Sequence, residues 1–168
     1  MTKIQYFSLY LYKKLNIYSN LKIQKILFLL RVYEKMKKLS SSQIFDKEKD
    51  NFEAWIYGPV NVLSYRTISN FINSIDQISD EDLRYVSRTD YENECKQYIE
   101  IANKINEMVD DPTDLINLTH KNLSYQKARE NVGPNEPCSN LIDEKSSNFI
   151  KFDQLTDYEK QIINVISK

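Results

Sequence analysis

The chain has 168 residues, 41% hydrophobic and 28% charged, which is the size of one domain and enough apolar material for a real core. That composition excludes wholesale disorder, and a formal net charge of -1 argues against a role resting on a global basic field, which nucleic-acid binders usually carry. With two Gly in the whole chain, sandwiches and barrels built on many tight turns are disfavoured.

In chain order, Thr2-x-x-Gln5 is a capping box for a first helix reaching about Leu15, with Ile4, Phe7, Leu11 and Leu15 as its buried stripe. Asn16 to Asn20 reads as a turn in which Ser19 or Asn20 caps the next helix. That second helix, about Leu21 to Lys38, carries the run ILFLLRV, apolar on almost every side, so it is expected at the centre of the fold. Lys35, Lys37 and Lys38 in its last turn suit the negative end of a helix dipole. A polar loop follows from Leu39 to Asp50. Its acids Asp46, Glu48 and Asp50 lack the Gly and the closing Glu of a calcium loop.

FEAWIYGPV, Phe52 to Val60, alternates Phe52, Ala54 and Ile56 with Glu53, Trp55 and Tyr57, which predicts one short extended segment near 51–57 ended by Gly58-Pro59. Pro59 suits the first turn of a third helix, running to about Ile75 with Leu63, Ile68, Phe71 and Ile72 inward. Ser79-x-x-Asp82 starts a short acidic helix. Thr89 or Asp90 opens a long one whose Cys95, Tyr98, Ile99, Ala102, Ile105 and Val109 keep helical spacing, ended by Asp110-Asp111-Pro112. Short helices follow at Thr113 to Thr119 and Ser124 to Glu130. Gly133 to Pro137 is a broken loop, and Thr156-x-x-Glu159 caps a last helix with Tyr158, Ile162, Val165 and Ile166 on one side. The expected fold is mainly α, a compact single-domain bundle of about six or seven helices over residues 1–168.

The longest apolar run, Ile26 to Leu30, is closed by Lys25 and Arg31, far short of the roughly 20 residues a membrane helix needs. Lys13 and Lys14 follow the first apolar patch and no small-residue cleavage site appears, so the expected location is the cytoplasm, with Cys95 and Cys138 as reduced thiols. One His and two distant Cys do not make a zinc site, and no phosphate loop or nucleophile elbow is present. No cofactor and no catalytic set are therefore expected. Any catalytic reading must centre on His120. The plainer reading, a histidine bonding backbone at a helix end, is preferred to it. Trp55, Tyr57 and Tyr65 read first as core aromatics and second as interface anchors. A basic helix face of Lys14, Lys22 and Lys25 is a further reading, which the near-neutral total counts against.

Three blocks, LKIQKILFLL, FEAWIYGPV and LINLTHKNLSYQKARE, stand in an order and at separations that resemble the Panacea-domain proteins, also called SocA-like or GepA-type phage-associated proteins. The resemblance covers about residues 7–142, leaving 143–168 as a C-terminal helical extension. It implies an antitoxin that binds and neutralises a cognate toxin encoded beside it. It also implies an alternative, an adaptor delivering that toxin to an ATP-dependent protease. Carried over by position, the motif residues are Gln24, Lys25, Trp55, Tyr57, Gly58, Pro59, Tyr65, Thr119 and His120, with Tyr125 where relatives commonly have Trp, followed by Ala128 and Arg129. Leu29 and Leu30 stand where small residues are common, and KLSSSQIF replaces a Gly-containing loop. Some members add a DNA-binding domain; none is expected here before Lys3, and direct operator binding is not expected. The expected surface gathers Trp55, Tyr57, Tyr65, His120 and Tyr125, and a His120-dependent enzyme is the least favoured reading.

Overall fold

The computed structural model describes residues 1–46, 50–74, 78–109, 111–130, 150 and 157–166. Eight helices and one small sheet occur among them: α1 Lys3–Lys13, α2 Asn20–Met36, β1 Glu53–Trp55, β2 Gly58–Val60, α3 Val62–Ile72, α4 Asp80–Val86, α5 Thr89–Met108, α6 Pro112–His120, α7 Leu123–Arg129 and α8 Asp157–Ile166. The mainly helical expectation holds, with one helix more than the six or seven expected and two strands in place of one extended segment.

α2 is the axis of the molecule. Every residue from Ile23 to Glu34 is buried, and α1, α3, α5, α6, α8 and β2 all pack on it. An apolar run without a polar face forces this, because a helix hydrophobic all round has to be covered all round. α1 lays Ile4, Phe7 and Leu11 into the core, with Leu15 partly buried at its end. From α5, Tyr98 and Ala102 reach the same core, while Ile99 and Val109 are partly buried at its margin. Two of the charged residues of α2 meet each other inside the core. Arg31 Nη1 donates to Glu34 Oε2 at 2.8 Å, and Tyr98 donates its hydroxyl to Glu34 Oε1 at 2.7 Å.

Side-chain caps fix five helix starts, each accepting a backbone N–H left over from the first turn. Ser19, Asn61, Ser79, Asp111 and Asn122 play this part for α2, α3, α4, α6 and α7. At the other ends, left-handed turns are made without glycine: Asn16 (φ 54°), Lys38 (φ 51°) and Ser74 (φ 55°). After α2, Lys38 N–H returns to the Lys35 carbonyl and Leu39 N–H to the Glu34 carbonyl, a Schellman closure.

Several expectations are corrected. Gly58-Pro59 does not end the extended piece. It begins β2, which pairs antiparallel with β1, and α3 starts at Val62 behind an Asn61 cap. Leu63 and Ile72 of α3 face solvent. The buried positions are Ser64 and Ile68, because the Ser64 hydroxyl meets Ser8 Oγ at 2.6 Å and receives Gln24 Nε2 at 3.0 Å. Pro112 lies in the first turn of α6, where its missing N–H costs nothing, and α5 has already ended at Met108. In α8 the buried anchor is Ile163, and Val165 is 59% exposed. The loop after α2 is less polar in effect than in composition. Ser42 Oγ accepts from the backbone of Ile44 and Phe45, whose side chains are buried, and Phe45 packs near Phe52. The expected loop at Gly133–Pro137, Cys138 and the Thr156 cap lie outside the described residues. No helix among the described residues is long and apolar enough to cross a membrane.

Candidate functional site

The residues singled out in the three sequence blocks converge on the hairpin. Ala54 stands opposite Pro59 and Trp55 opposite Gly58, leaving Ile56 and Tyr57 as the turn. Gly58 has φ +98°, a region closed to L side chains, and this lets the chain reverse where a Gly-Pro dipeptide reads as a stop. It is also pressed against two helices. A Cβ placed there would lie 2.9 Å from Lys25 Cε and 2.9 Å from Thr119 Oγ1. Thr119 in turn donates its hydroxyl back to the Leu115 carbonyl at 3.0 Å, so it is fixed in α6.

Side chains from three helices take up the hairpin's backbone groups. Lys25 of α2 donates to the Pro59 carbonyl at 3.0 Å, and Gln24 Oε1 accepts from Asn61 N–H at 3.0 Å. From α7, Tyr125 donates its hydroxyl to the Trp55 carbonyl at 2.8 Å and Arg129 Nη1 donates to the Ala54 carbonyl at 2.8 Å. His120, at the end of α6, stacks flat on Tyr125 with ring centroids 4.9 Å apart, and its backbone carbonyl accepts from Gln126.

Lys25 is fully buried, and burial lowers its ammonium from the ordinary 10.5 to about 7. His120 is held below its usual value, first by burial and then by the Lys25 charge, with the Ile56 backbone acting the other way. Its Nε2 is buried without a partner.

The outer face of the hairpin is a different environment. Trp55, Ile56 and Tyr57 join Leu21, Gln24, Val60, Tyr65 and Asn20 around a groove of about 470 Å³ with no charged residue in its walls. Trp55 and Tyr65 are half-buried with ring centroids 5.1 Å apart, and the indole donates to Glu53 Oε2 at 2.7 Å. Tyr57 stands clear at 66% exposure. These aromatics are thus not core: the tight turn lifts Tyr57 into solvent, and Trp55 and Tyr65 become a wall.

The expected single surface is divided in two. Gln24, Trp55, Tyr57 and Tyr65 meet at the groove, whereas Lys25, Thr119, Tyr125 and Arg129 brace the hairpin from behind, the first two against its own Gly58 and Pro59, with Tyr125 buried. Sequence reading missed Glu53, Leu21, Asn61 and Ser64. Only Asn61 had a signal, an Asn directly before an apolar helical run. The basic face of Lys14, Lys22 and Lys25 does not exist. Lys25 is buried, and Lys22 Nζ caps the end of α5 at the Val109 carbonyl (2.8 Å). Lys14 Nζ lies 4.0 Å from Glu92. Among the described residues no group of three or more His, Cys, Asp or Glu could hold a metal ion. Cys95 is a free, buried thiol pushed up to about 11, chiefly by burial.

Compared with protein-family models, with curated proteins and with solved structures, the chain matches none.

Proposed function

We propose that this chain is an antitoxin-like protein of the Panacea-domain kind, which neutralises a cognate toxin by direct binding at the Trp55 hairpin. The toxin sets an uncharged apolar side chain into the groove between Trp55, Tyr65 and Leu21, and Tyr57 closes over it. Half-exposed aromatics on a braced support are the usual anchors of protein interfaces, since they bring large contact area at small entropic cost. The observation that carries the reading is the convergence of motif residues from three separate sequence blocks on one hairpin. Four of them line its groove and most of the others hold it rigid. A braced hairpin suits binding because little order is left to be imposed on contact.

The test is co-expression with the product of the neighbouring reading frame. Growth arrest by that product alone should be relieved by the wild-type chain, and relief should be lost with Trp55→Ala or Tyr57→Ala at unchanged protein level. If no neighbouring product is toxic, or if both variants protect as well as wild type, the reading fails.

A further inference from the structure

Two bases, the fully buried Lys25 and the half-buried His120, lie beneath the hairpin, and nothing in the groove uses them. Lys25 has three N–H donors as an ammonium and one acceptor, the Pro59 carbonyl. His120 Nε2 has no partner, so a proton added there would be a buried donor with nothing to meet. The Lys25 charge disfavours a charged His120. Each is also mechanically tied to the hairpin. Lys25 touches Gly58 and Pro59 directly, and His120 bonds the Ile56 backbone in the turn and stacks on the Tyr125 ring, whose hydroxyl holds the Trp55 carbonyl.

Among the described residues, no carboxylate bonds either base. From α7 comes Arg129, another cation that acts on His120. On β1, Glu53 is turned to the Trp55 indole, and on α2 itself Glu34 is engaged by Arg31 and Tyr98. Ser8 of α1 and Ser64 of α3 bring only hydroxyls, and α5 turns Tyr91, Cys95 and Tyr98 inward. At α8, Asp157 and Lys160 pair with each other at the surface. Burial alone acts on Lys25.

We propose that Lys25 and His120 form an acid-sensitive latch: positive charge gained at these two bases frees the Trp55 hairpin from α2, α6 and α7 and so opens the groove. The sign follows from linkage. The closed hairpin prefers neutral Lys25, a preference complete above pH 10.5 and lost as pH falls to about 7. His120, lowered from 6.5, continues the trend below that value. One proton taken up on opening raises the opening equilibrium by up to roughly tenfold per pH unit inside each window. The latch concerns the chain alone and does not rest on its partner being a toxin.

Trp55 is the only tryptophan, so its emission and acrylamide quenching report on the hairpin. The full chain is measured from pH 9.5 to 5.5 with far-UV circular dichroism alongside, as wild type, Lys25→Met and His120→Gln. Quenching should rise severalfold as pH falls while the helical signal stays constant. Lys25→Met should flatten the part above pH 7, and His120→Gln the part below 6.5. A flat wild-type profile overturns the latch. So does a rise unchanged in both variants, or a rise seen only together with loss of helix. If Lys25→Met does not fold, the His120→Gln comparison decides alone.

Discussion

Gly58 is the position with least freedom. Its φ of +98° strains any other residue, and a methyl group would press on Lys25 and Thr119. Gly58→Ala is expected to cost roughly 2 kcal/mol or more, through backbone strain and displaced side chains. A urea melt would show it as a lowered midpoint with an unchanged slope. Tyr57, one residue earlier, is the opposite case: with most of its surface in water, Tyr57→Ala should leave stability within about 0.5 kcal/mol of wild type. Two neighbours thus separate support from contact. Loss of partner binding in the first is explained by a distorted hairpin, and in the second only by a missing contact. A midpoint for Tyr57→Ala lowered by much more than that would mean that its ring braces the turn.

At the scale of elements, scarcity of glycine leaves a mark at the helix ends. Lys38 closes α2 from a left-handed conformation that lysine adopts at a cost of about 1 kcal/mol. Lys38→Gly should therefore raise the thermal midpoint, by an amount matching a gain of about that size. No gain would mean that the lysine side chain earns its place by contacts at the helix terminus. The elements also differ in how plainly the sequence announces them. α2 was legible because a run apolar on all sides can only be central. β1 was legible from alternation, but β2 was not, since Gly-Pro signals a break and only the positive φ of Gly58 turns the break into a reversal. On α3 Ile68 was read correctly as inward, but Leu63 and Ile72 were misread because apolar residues were assumed to point inward, whereas Ser64 occupies the core through its bonds to Ser8 and Gln24. Of the candidate site, the participants were largely visible and their division was not. A lysine is expected in water, so nothing in the spacing of Gln24 and Lys25 reveals that the first borders a groove while the second is sealed below it.

For the whole molecule, α2 links the core to the hairpin. Leu27 is fully buried near the middle of that helix, and Leu27→Ala should cost about 2–5 kcal/mol, read as a drop in denaturation midpoint. Because Gln24 and Lys25 lie on the preceding turn, such a loss should loosen the groove as well as the core, with Trp55 quenching rising before the global transition. A groove unaffected until full unfolding would mean that α6 and α7 hold the hairpin without α2. The central claim is that this chain works by gripping a protein at the hairpin groove. Its most direct test is calorimetric titration of the purified chain with the product of the adjacent reading frame. Stoichiometric binding is expected for wild type, weakened at least tenfold by Tyr57→Ala, a change of about 1.4 kcal/mol. Absence of binding, or binding equally tight after that substitution and after Trp55→Ala, would contradict the claim.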